Sequence, residues 1–161
     1  MGTQNSQKTP RRLERVFAFK VLYGLCFSPA QSEAELLRAF QAAPERPERL
    51  PEEGGYAWTL VFGVWRHMQE LDGIIASFSR NWRLERMGKV EVTLLRIAVF
   101  ELGLAGKDSD QGAITYSDKE SPVPPKVAIN EAIELSKQFG DDKSRGFVNG
   151  ILDAAARSLE K

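Results

Sequence analysis

Apolar side chains recur at the three- and four-residue spacing of an α-helix along most of the chain, and the alternation typical of a β-strand is absent. In residues 10–27, Leu13, Phe17, Val21 and Leu25 recur at every fourth position and predict a core-facing stripe. The same spacing predicts helices in residues 32–43, 56–79, 89–105, 126–139 and 141–161. The chain is therefore predicted to be all-α.

Capping residues predict where several helices begin and end. Thr9 before Pro10 predicts a threonine N-cap and a proline at the first helical position. Ser32 followed by Glu35 matches a capping box, and Gly140 is typical of a helix C-terminus. Residues 44–55, with three prolines, and the polar residues 106–123 are predicted to be loops.

Composition excludes several classes of protein. The 161 residues carry 22 basic and 22 acidic side chains, so net charge indicates no acidic partner. A single cysteine cannot form an intramolecular disulfide, which is typical of the reducing cytoplasm. Neither a membrane span nor a secretory signal is recognisable, and we expect a cytoplasmic protein with no membrane partner.

The residues needed for catalysis are scarce. The chain has one histidine, His67, and one cysteine, Cys26, and neither has neighbours at catalytic or metal-ligand spacing. Glycine-rich phosphate loops are also absent from the sequence. We therefore predict that the protein is not an enzyme and holds neither a metal nor a cofactor.

Three arginines stand where helix electrostatics disfavours them. Arg11, Arg12 and Arg15 occupy the first turns of the first predicted helix. The N-terminal end of a helix is partly positive, so each cation there costs up to about 1 kcal/mol. A helical projection places the three within one sector of about 100°, opposite the stripe that begins at Leu13. Such a basic patch predicts an anionic partner.

Aromatic side chains continue the basic sector. Phe19, Leu22 and Tyr23 follow the arginines along the same side of the helix. Cations for the phosphates and rings for the bases are what single-stranded RNA requires. In the alternative, Arg15 pairs with acidic neighbours while Phe19 and Tyr23 belong to the core.

A second candidate site lies in residues 143–150, KSRGFVNG. Lys143 and Arg145 again place cations in the first turn of a helix. Phe147 either stacks on a base or packs against a neighbouring helix. Asn149 either binds a base edge or the protein's own backbone. Gly146 is a poor helix former and suggests close approach of another backbone or of a ligand.

Four segments, taken in order, closely resemble the NusB family of bacterial transcription antitermination factors: RRxxRxxAFKVLY, LERMGKVEVTLLRIAVFEL, VPPKVAINEAIELSKQFG and FVNGILD. The resemblance extends from Arg11 to about Arg157 and implies a helical bundle of about seven helices in two subdomains. We place a flexible tail at residues 1–8 and a single domain at 9–161, with subdomains at about 9–80 and 81–161.

The resemblance also implies a function. Members of the family bind boxA-type single-stranded RNA together with NusE, a small-subunit ribosomal protein. With NusA, NusG and RNA polymerase they promote processive transcription of ribosomal RNA operons. The same partners are therefore expected for this chain.

Site residues follow by position from the family pattern. Arg11, Arg12 and Arg15 match the arginine-rich RNA-binding segment, Phe139 to Phe147 match a second part of the RNA-contacting face, and Tyr23 and Glu91 match the surface that faces NusE. Together with the residues chosen above, the predicted RNA-binding set is Arg11, Arg12, Arg15, Phe19, Phe139, Lys143, Arg145, Phe147 and Asn149.

Two features depart from the family pattern. Lys143 stands where some relatives carry an acidic residue. The loop at 106–123 is longer than the usual connection, and it either extends into solvent or shades the RNA surface.

Two other functions are compatible with a NusB-like fold. One is the N-terminal RNA-binding domain of a ribosomal RNA cytosine-5 methyltransferase, which requires a catalytic domain that we do not expect beyond Lys161. The other is a homodimeric protein-interaction module that uses an apolar helix surface.

Replacing Arg11, Arg12 and Arg15 together by alanine tests the RNA-binding hypothesis. We expect the salt dependence of boxA RNA binding to become shallower, by about 0.7 in log K per log salt for each lost phosphate contact. We expect helicity and melting temperature to stay nearly unchanged. Unaltered binding at every salt concentration would refute the electrostatic explanation.

Overall fold

The computed structural model describes residues 10–45, 47, 55–79, 86–103 and 123–158. The regular structure in these ranges is helical, α-helix throughout except for a 3₁₀ residue at Arg86, which confirms the all-α prediction. The seven helices are α1 (Arg11–Leu25), α2 (Glu33–Ala42), α3 (Gly55–Arg66), α4 (Met68–Phe78), α5 (Lys89–Glu101), α6 (Pro125–Phe139) and α7 (Asp142–Ser158). The predicted tail at 1–8 and nearly all of the loops at 44–55 and 106–123 lie outside the described residues.

Two compact units make up the structure. The first ends at Phe62 and the second begins at Gly63, so the division falls within α3. The subdomain boundary predicted near residue 80 is a different division of the chain and stays a prediction.

Aromatic packing organises the core of the first unit. Phe17 of α1 meets Phe40 of α2 edge-on, with ring centroids 5.3 Å apart. Phe40 in turn lies 5.2 Å from Trp58 of α3, again edge-on. Edge-to-face pairs of this kind add to the stabilisation from burial, so these rings join the three helices of the unit.

The first helix begins one residue later than predicted and is buried on two sides. Pro10 is the N-cap and not the first helical residue, because its backbone is extended, at φ −57° and ψ 141°. Phe17, Val21 and Leu25 are buried as predicted, but Leu13 is 52% exposed. The placement of Leu13 in the core was wrong, because burial also covers the flank that carries Arg15 and Phe19. The buried arc of the helix is therefore not centred on the predicted stripe, and Leu13 lies outside it.

Helix α2 has the predicted N-cap. Ser32 Oγ accepts a hydrogen bond from Glu35 N at 3.2 Å. The reciprocal bond of a capping box is shifted by one residue, since the Glu35 carboxylate accepts from Gln31 N at 2.6 Å and not from Ser32 N. The cap is therefore half of the predicted motif.

The single helix predicted for residues 56–79 is wrong. At His67 the backbone leaves helical geometry, with φ −104° and ψ 20°, and separates α3 from α4. Backbone hydrogen bonds still run from His67 N to Gly63 O and from Leu71 N to His67 O. Because the bend keeps these bonds, it needs neither proline nor a break in the apolar pattern and leaves no signal in the sequence.

Helix α5 occupies the centre of the second unit, where it packs against α4, α6 and α7. Its burial on most sides was predicted and is confirmed, with Leu94, Leu95 and Phe100 fully buried. An ion pair between Arg96 and Asp72, with two bonds of 2.7 and 2.8 Å, ties α5 to α4. The helix ends before the predicted residue 105, because Gly103 adopts a left-handed φ of +74°.

Helix α6 and the start of α7 agree with the predicted bounds to within one residue, whereas the predicted end of α7 lies outside the described residues. Pro124 is the N-cap of α6 and Pro125 its first residue, and Gly140 is its C-cap with an extended backbone. Within the described ranges, none of the helices combines the length and apolarity required to cross a membrane.

Gly63 provides a stability test of the second unit. A methyl group on this residue would overlap Cζ and Cε2 of Phe100, whose ring is fully buried. We expect Gly63→Ala to lower the free energy of unfolding by about 1–3 kcal/mol through overpacking, measured by chemical denaturation.

Gly73 is the matched control, because it also lies in a helix but no described atom comes within 4 Å of the added methyl. Gly73→Ala should stabilise by about 0.4–1 kcal/mol, since alanine restricts the unfolded chain. Equal effects of the two substitutions would contradict the packing described here.

Candidate functional site

The three predicted arginines differ in exposure. Arg12 is exposed and Arg11 is half-buried, whereas Arg15 is only 4% exposed. The prediction of one open basic sector is therefore wrong for Arg15. It failed because the flank of α1 that carries Arg15 packs inside the first unit.

One buried ring receives two of the guanidinium groups. Tyr56, in the first turn of α3, is 2% exposed. The Arg11 Cζ atom lies 4.0 Å from the centroid of the Tyr56 ring, and the Arg15 Cζ atom lies 5.4 Å from it. Both distances are within the range of a cation–π interaction. Tyr56 thus holds Arg11 and Arg15 at the N-terminal end of α1.

A buried carboxylate connects the same two helices. Glu14 lies in the first turn of α1 and is 8% exposed. Its Oε1 atom accepts hydrogen bonds from Tyr56 N at 3.1 Å and Ala57 N at 3.3 Å. These N–H groups belong to the first turn of α3 and need an acceptor from outside that helix. Glu14 therefore caps α3 from 42 residues away in the sequence.

The aromatic part of the predicted sector is only partly open. Phe19 is 2% exposed and stacks on Tyr23, with centroids 5.8 Å apart. The expectation that Phe19 offers an exposed ring is wrong, because Phe19 belongs to the core as the alternative interpretation held. Tyr23 is half-buried and meets the edge of Phe27, which is 63% exposed.

The predicted residues near the start of α7 are more accessible. Lys143 and Asn149 are exposed, and Phe139, Arg145 and Phe147 are half-buried. Arg145 forms an ion pair with Asp142, three residues earlier on the same helix. The pair reduces the positive charge that Arg145 contributes to this surface.

The glycines of α7 lie on an open side of that helix. A methyl group added at Gly146 or Gly150 would meet no described atom within 4 Å. The described residues therefore do not use these glycines for close helix packing. The open side also carries Lys143 and Asn149.

A hydroxyl group joins Glu91 to the start of α7. Ser144 Oγ donates to Glu91 Oε1 and lies 3.0 Å from Asp141 Oδ1. Ser144 N donates to the same Asp141 oxygen at 2.8 Å, so Asp141 caps α7. These bonds, led by the backbone bond, lower the pKa of Asp141 below its ordinary value. Of the two residues expected to face a protein partner, Glu91 is thus held by a contact within its own unit.

The predicted site residues fall into two groups, one in each unit. Arg11, Arg12, Arg15, Phe19 and Tyr23 belong to the first unit. The second unit holds Phe139, Lys143, Arg145, Phe147, Asn149 and Glu91.

Sequence reasoning missed the side chains that organise both groups. Glu14 and Tyr56 are far apart in the chain, so no local spacing joins them. The one available signal for Glu14 was an acidic residue set among three arginines. Ser144 was overlooked because its partner, Glu91, lies 53 residues away.

The fold and the two groups of site residues define a helical protein with cations at the starts of two helices, α1 and α7. The described residues contain no cluster of potential metal ligands. Residues 12–157 match the model of the NusB family. The chain belongs to the NusB family.

Individual relatives agree with the family match. The transcription antitermination protein NusB of Nitratidesulfovibrio vulgaris strain Miyazaki F is 51% identical over 172 residues, covering 99% of this chain and 94% of that protein. Among solved structures, T. maritima NusB has a TM-score of 0.68 at 30% identity, covering 93% of this chain and 92% of the other. A structure of NusB and NusE in complex with double-stranded RNA has a TM-score of 0.66 at 26% identity, covering 92% and 96%.

The Glu14 cap can be tested through stability. Glu14→Ala leaves the N–H groups of Tyr56 and Ala57 without the carboxylate acceptor in a buried place. We expect the free energy of unfolding to fall by about 1–3 kcal/mol, measured by chemical denaturation.

Glu35→Ala is the matched control. The Glu35 carboxylate also accepts a backbone N–H, but in an exposed position where water can replace it. A loss for Glu35→Ala as large as that for Glu14→Ala would argue against the buried cap.

Proposed function

We propose that this protein is a transcription antitermination factor that binds boxA-type single-stranded RNA together with NusE. The proposal includes assembly with NusA, NusG and RNA polymerase on ribosomal RNA operons, which places the protein in the cytoplasm. The family match and the antitermination relatives support this function. Those relatives are named as antitermination proteins and not as enzymes, as the sequence predicted.

The placement of Arg11 and Arg12 at the start of α1 carries the RNA-binding part of the proposal. Arg12 is exposed, and Arg11 is held over the Tyr56 ring at 4.0 Å. A guanidinium that is already oriented loses less conformational freedom when it binds a phosphate. The positive end of the helix adds to the attraction for an anion.

The buried members of the predicted set receive different roles in this proposal. Arg15, at 4% exposure, supports the Tyr56 ring from within the unit and does not contact phosphate. Phe19 supports Tyr23 through their stacked rings. Both residues therefore act on the RNA-binding surface through a neighbour.

The start of α7 supplies the proposed RNA contacts of the second unit. Lys143 is exposed and contacts the backbone of the RNA, while Asn149 reaches base edges across the open side near Gly146. Phe139 and Phe147 are half-buried, and the accessible part of each is proposed to contact a base. Arg145 must exchange Asp142 for a phosphate in order to contribute.

NusE is proposed to contact Tyr23 in the first unit and Glu91 in the second. The similar structure that contains NusB, NusE and RNA supports such a pairing. Both residues are half-buried and so retain an accessible part. A homodimer that hides the RNA-binding residues would be an inactive form of the same protein.

The methyltransferase alternative has less support. The match covers 94% of the Nitratidesulfovibrio vulgaris relative, and that relative is named as an antitermination protein. A methyltransferase would carry a second domain of different composition with a catalytic cysteine.

Binding titrations with a labelled boxA-type RNA, repeated at several salt concentrations and with purified NusE, test the proposal. We expect Arg12→Ala to weaken binding and to reduce the slope of log K against log salt by about 0.7, as loss of one phosphate contact requires. A duplex of the same sequence should bind less tightly, because its bases are unavailable for stacking.

Arg38→Ala is the control variant, since Arg38 is an exposed arginine on α2 of the same unit. It should leave both affinity and slope unchanged. If Arg12→Ala and Arg38→Ala behave alike, Arg12 does not contact RNA. Arg15→Ala does not test RNA binding, because removal of a buried side chain is expected to lower the stability of the fold. The unchanged melting temperature expected above for the triple substitution is therefore not expected from the structure.

A further inference from the structure

Ser144 stands at a junction of three helices in the second unit. It lies in the first turn of α7 and is 3% exposed. Its hydroxyl contacts Glu91 in the first turn of α5 and Asp141 beside the end of α6. A serine hydroxyl has a single proton, so two carboxylates share one donor. A change at either carboxylate therefore alters the bond to the other.

Glycines on two sides leave the junction little freedom. A methyl group at Gly88, the N-cap of α5, would overlap Glu91 Oε2. A methyl group at Gly140, the C-cap of α6, would lie 2.9 Å from Ser144 Cβ and 3.1 Å from Ser136 O. The Glu91 carboxylate is thus seated between the N-cap of its own helix and the Ser144 hydroxyl.

The two residues that flank Ser144 in the chain are the basic members of the proposed RNA-binding set within the second unit. Lys143 precedes it and Arg145 follows it on the first turn of α7. Displacement of the Ser144 backbone toward or away from Glu91 moves this turn. The Glu91 carboxylate and the two cations are therefore linked through one side chain.

We propose that Ser144 is a positioning residue that couples the protein-partner contact at Glu91 to the RNA contact at the start of α7. This inference rests on the proposed function, in which NusE binds at Glu91 and RNA binds at Lys143.

The coupling is positive because both ligands require the same arrangement of the junction. A partner that holds the Glu91 carboxylate also holds Ser144 and the turn that carries Lys143. RNA then meets a turn that is already ordered and loses less conformational entropy on binding. By linkage, RNA raises the affinity for the partner by the same factor.

Ser144→Ala is the direct test, because it removes the hydroxyl and keeps the backbone N–H that Asp141 accepts. The affinity of the full chain for a boxA-type RNA oligonucleotide is measured with and without saturating NusE, and the affinity for NusE is measured alone. For the unmodified protein we expect NusE to tighten RNA binding by about fivefold or more. In Ser144→Ala this factor should fall toward one, while each ligand alone binds with little change.

Gly88→Ala perturbs the junction from the other side. The backbone of Gly88, at φ −65° and ψ 153°, is one that alanine adopts without strain. The added methyl must displace the end of the flexible Glu91 side chain from Ser144. This variant should also lose coupling, and it decides the question if Ser144→Ala does not fold.

Ser158→Ala is the matched control on the same helix. The Ser158 hydroxyl donates to Ala155 O of its own helix at 2.5 Å and makes no bond to α5. Its coupling factor should equal that of the unmodified protein.

The outcomes separate the inference from the proposed function. Unchanged coupling in Ser144→Ala or in Gly88→Ala, or binding of RNA and NusE without coupling in the unmodified protein, would overturn the role of Ser144 and leave the proposed function standing. Failure of the unmodified protein to bind either ligand would overturn both.

Discussion

The Glu14 carboxylate is the interaction on which the first unit depends. It accepts two backbone N–H groups at the start of α3 from a buried position on α1. A carboxylate there is stabilised by the positive end of α3, and it places negative charge among the three arginines of α1. Without this charge, two cations beside a buried tyrosine at a helix N-terminus would be hard to accommodate. Glu14 thus allows Arg11 and Arg15 to sit where an isolated helix disfavours them.

The three arginines of α1 differ in exposure and therefore in their proposed roles. Arg15 is enclosed and Arg11 is held on the same ring, while Arg12 faces solvent. An oriented guanidinium at Arg11 beside the exposed Arg12 suits an anionic phosphate backbone. The junction at Ser144 in the second unit is comparable, because the buried Ser144 hydroxyl binds two carboxylates beside the turn that carries Lys143 and Arg145. In each unit, a carboxylate contact that involves a buried side chain, Glu14 in the first and Ser144 in the second, supports residues that the proposed function uses.

Several elements were predictable because their signals are local. Ser32 caps α2 by accepting from Glu35 N, and the pair Pro124 and Pro125 marks the start of α6. The nearly continuous apolar side chains of α5 predict a buried central helix. The break at His67 was not predictable, since the hydrogen bonds continue across it. The placement of Leu13 failed for a related reason. A four-residue stripe identifies one buried side of a helix, and it cannot tell whether the opposite side is buried too.

The sequence by itself determined that the chain is helical, where most helices begin to within one residue, which family it belongs to, and that cations gather at the starts of two helices. These properties depend on neighbours within a few residues or on a motif that extends along the chain. Tertiary structure alone decided that Arg15 and Phe19 are enclosed, that Glu14 caps α3, and that Ser144 binds Glu91. The bond between Glu14 and Tyr56 joins residues 42 positions apart, and the bond between Ser144 and Glu91 joins residues 53 positions apart. Both bonds depend on how whole helices pack.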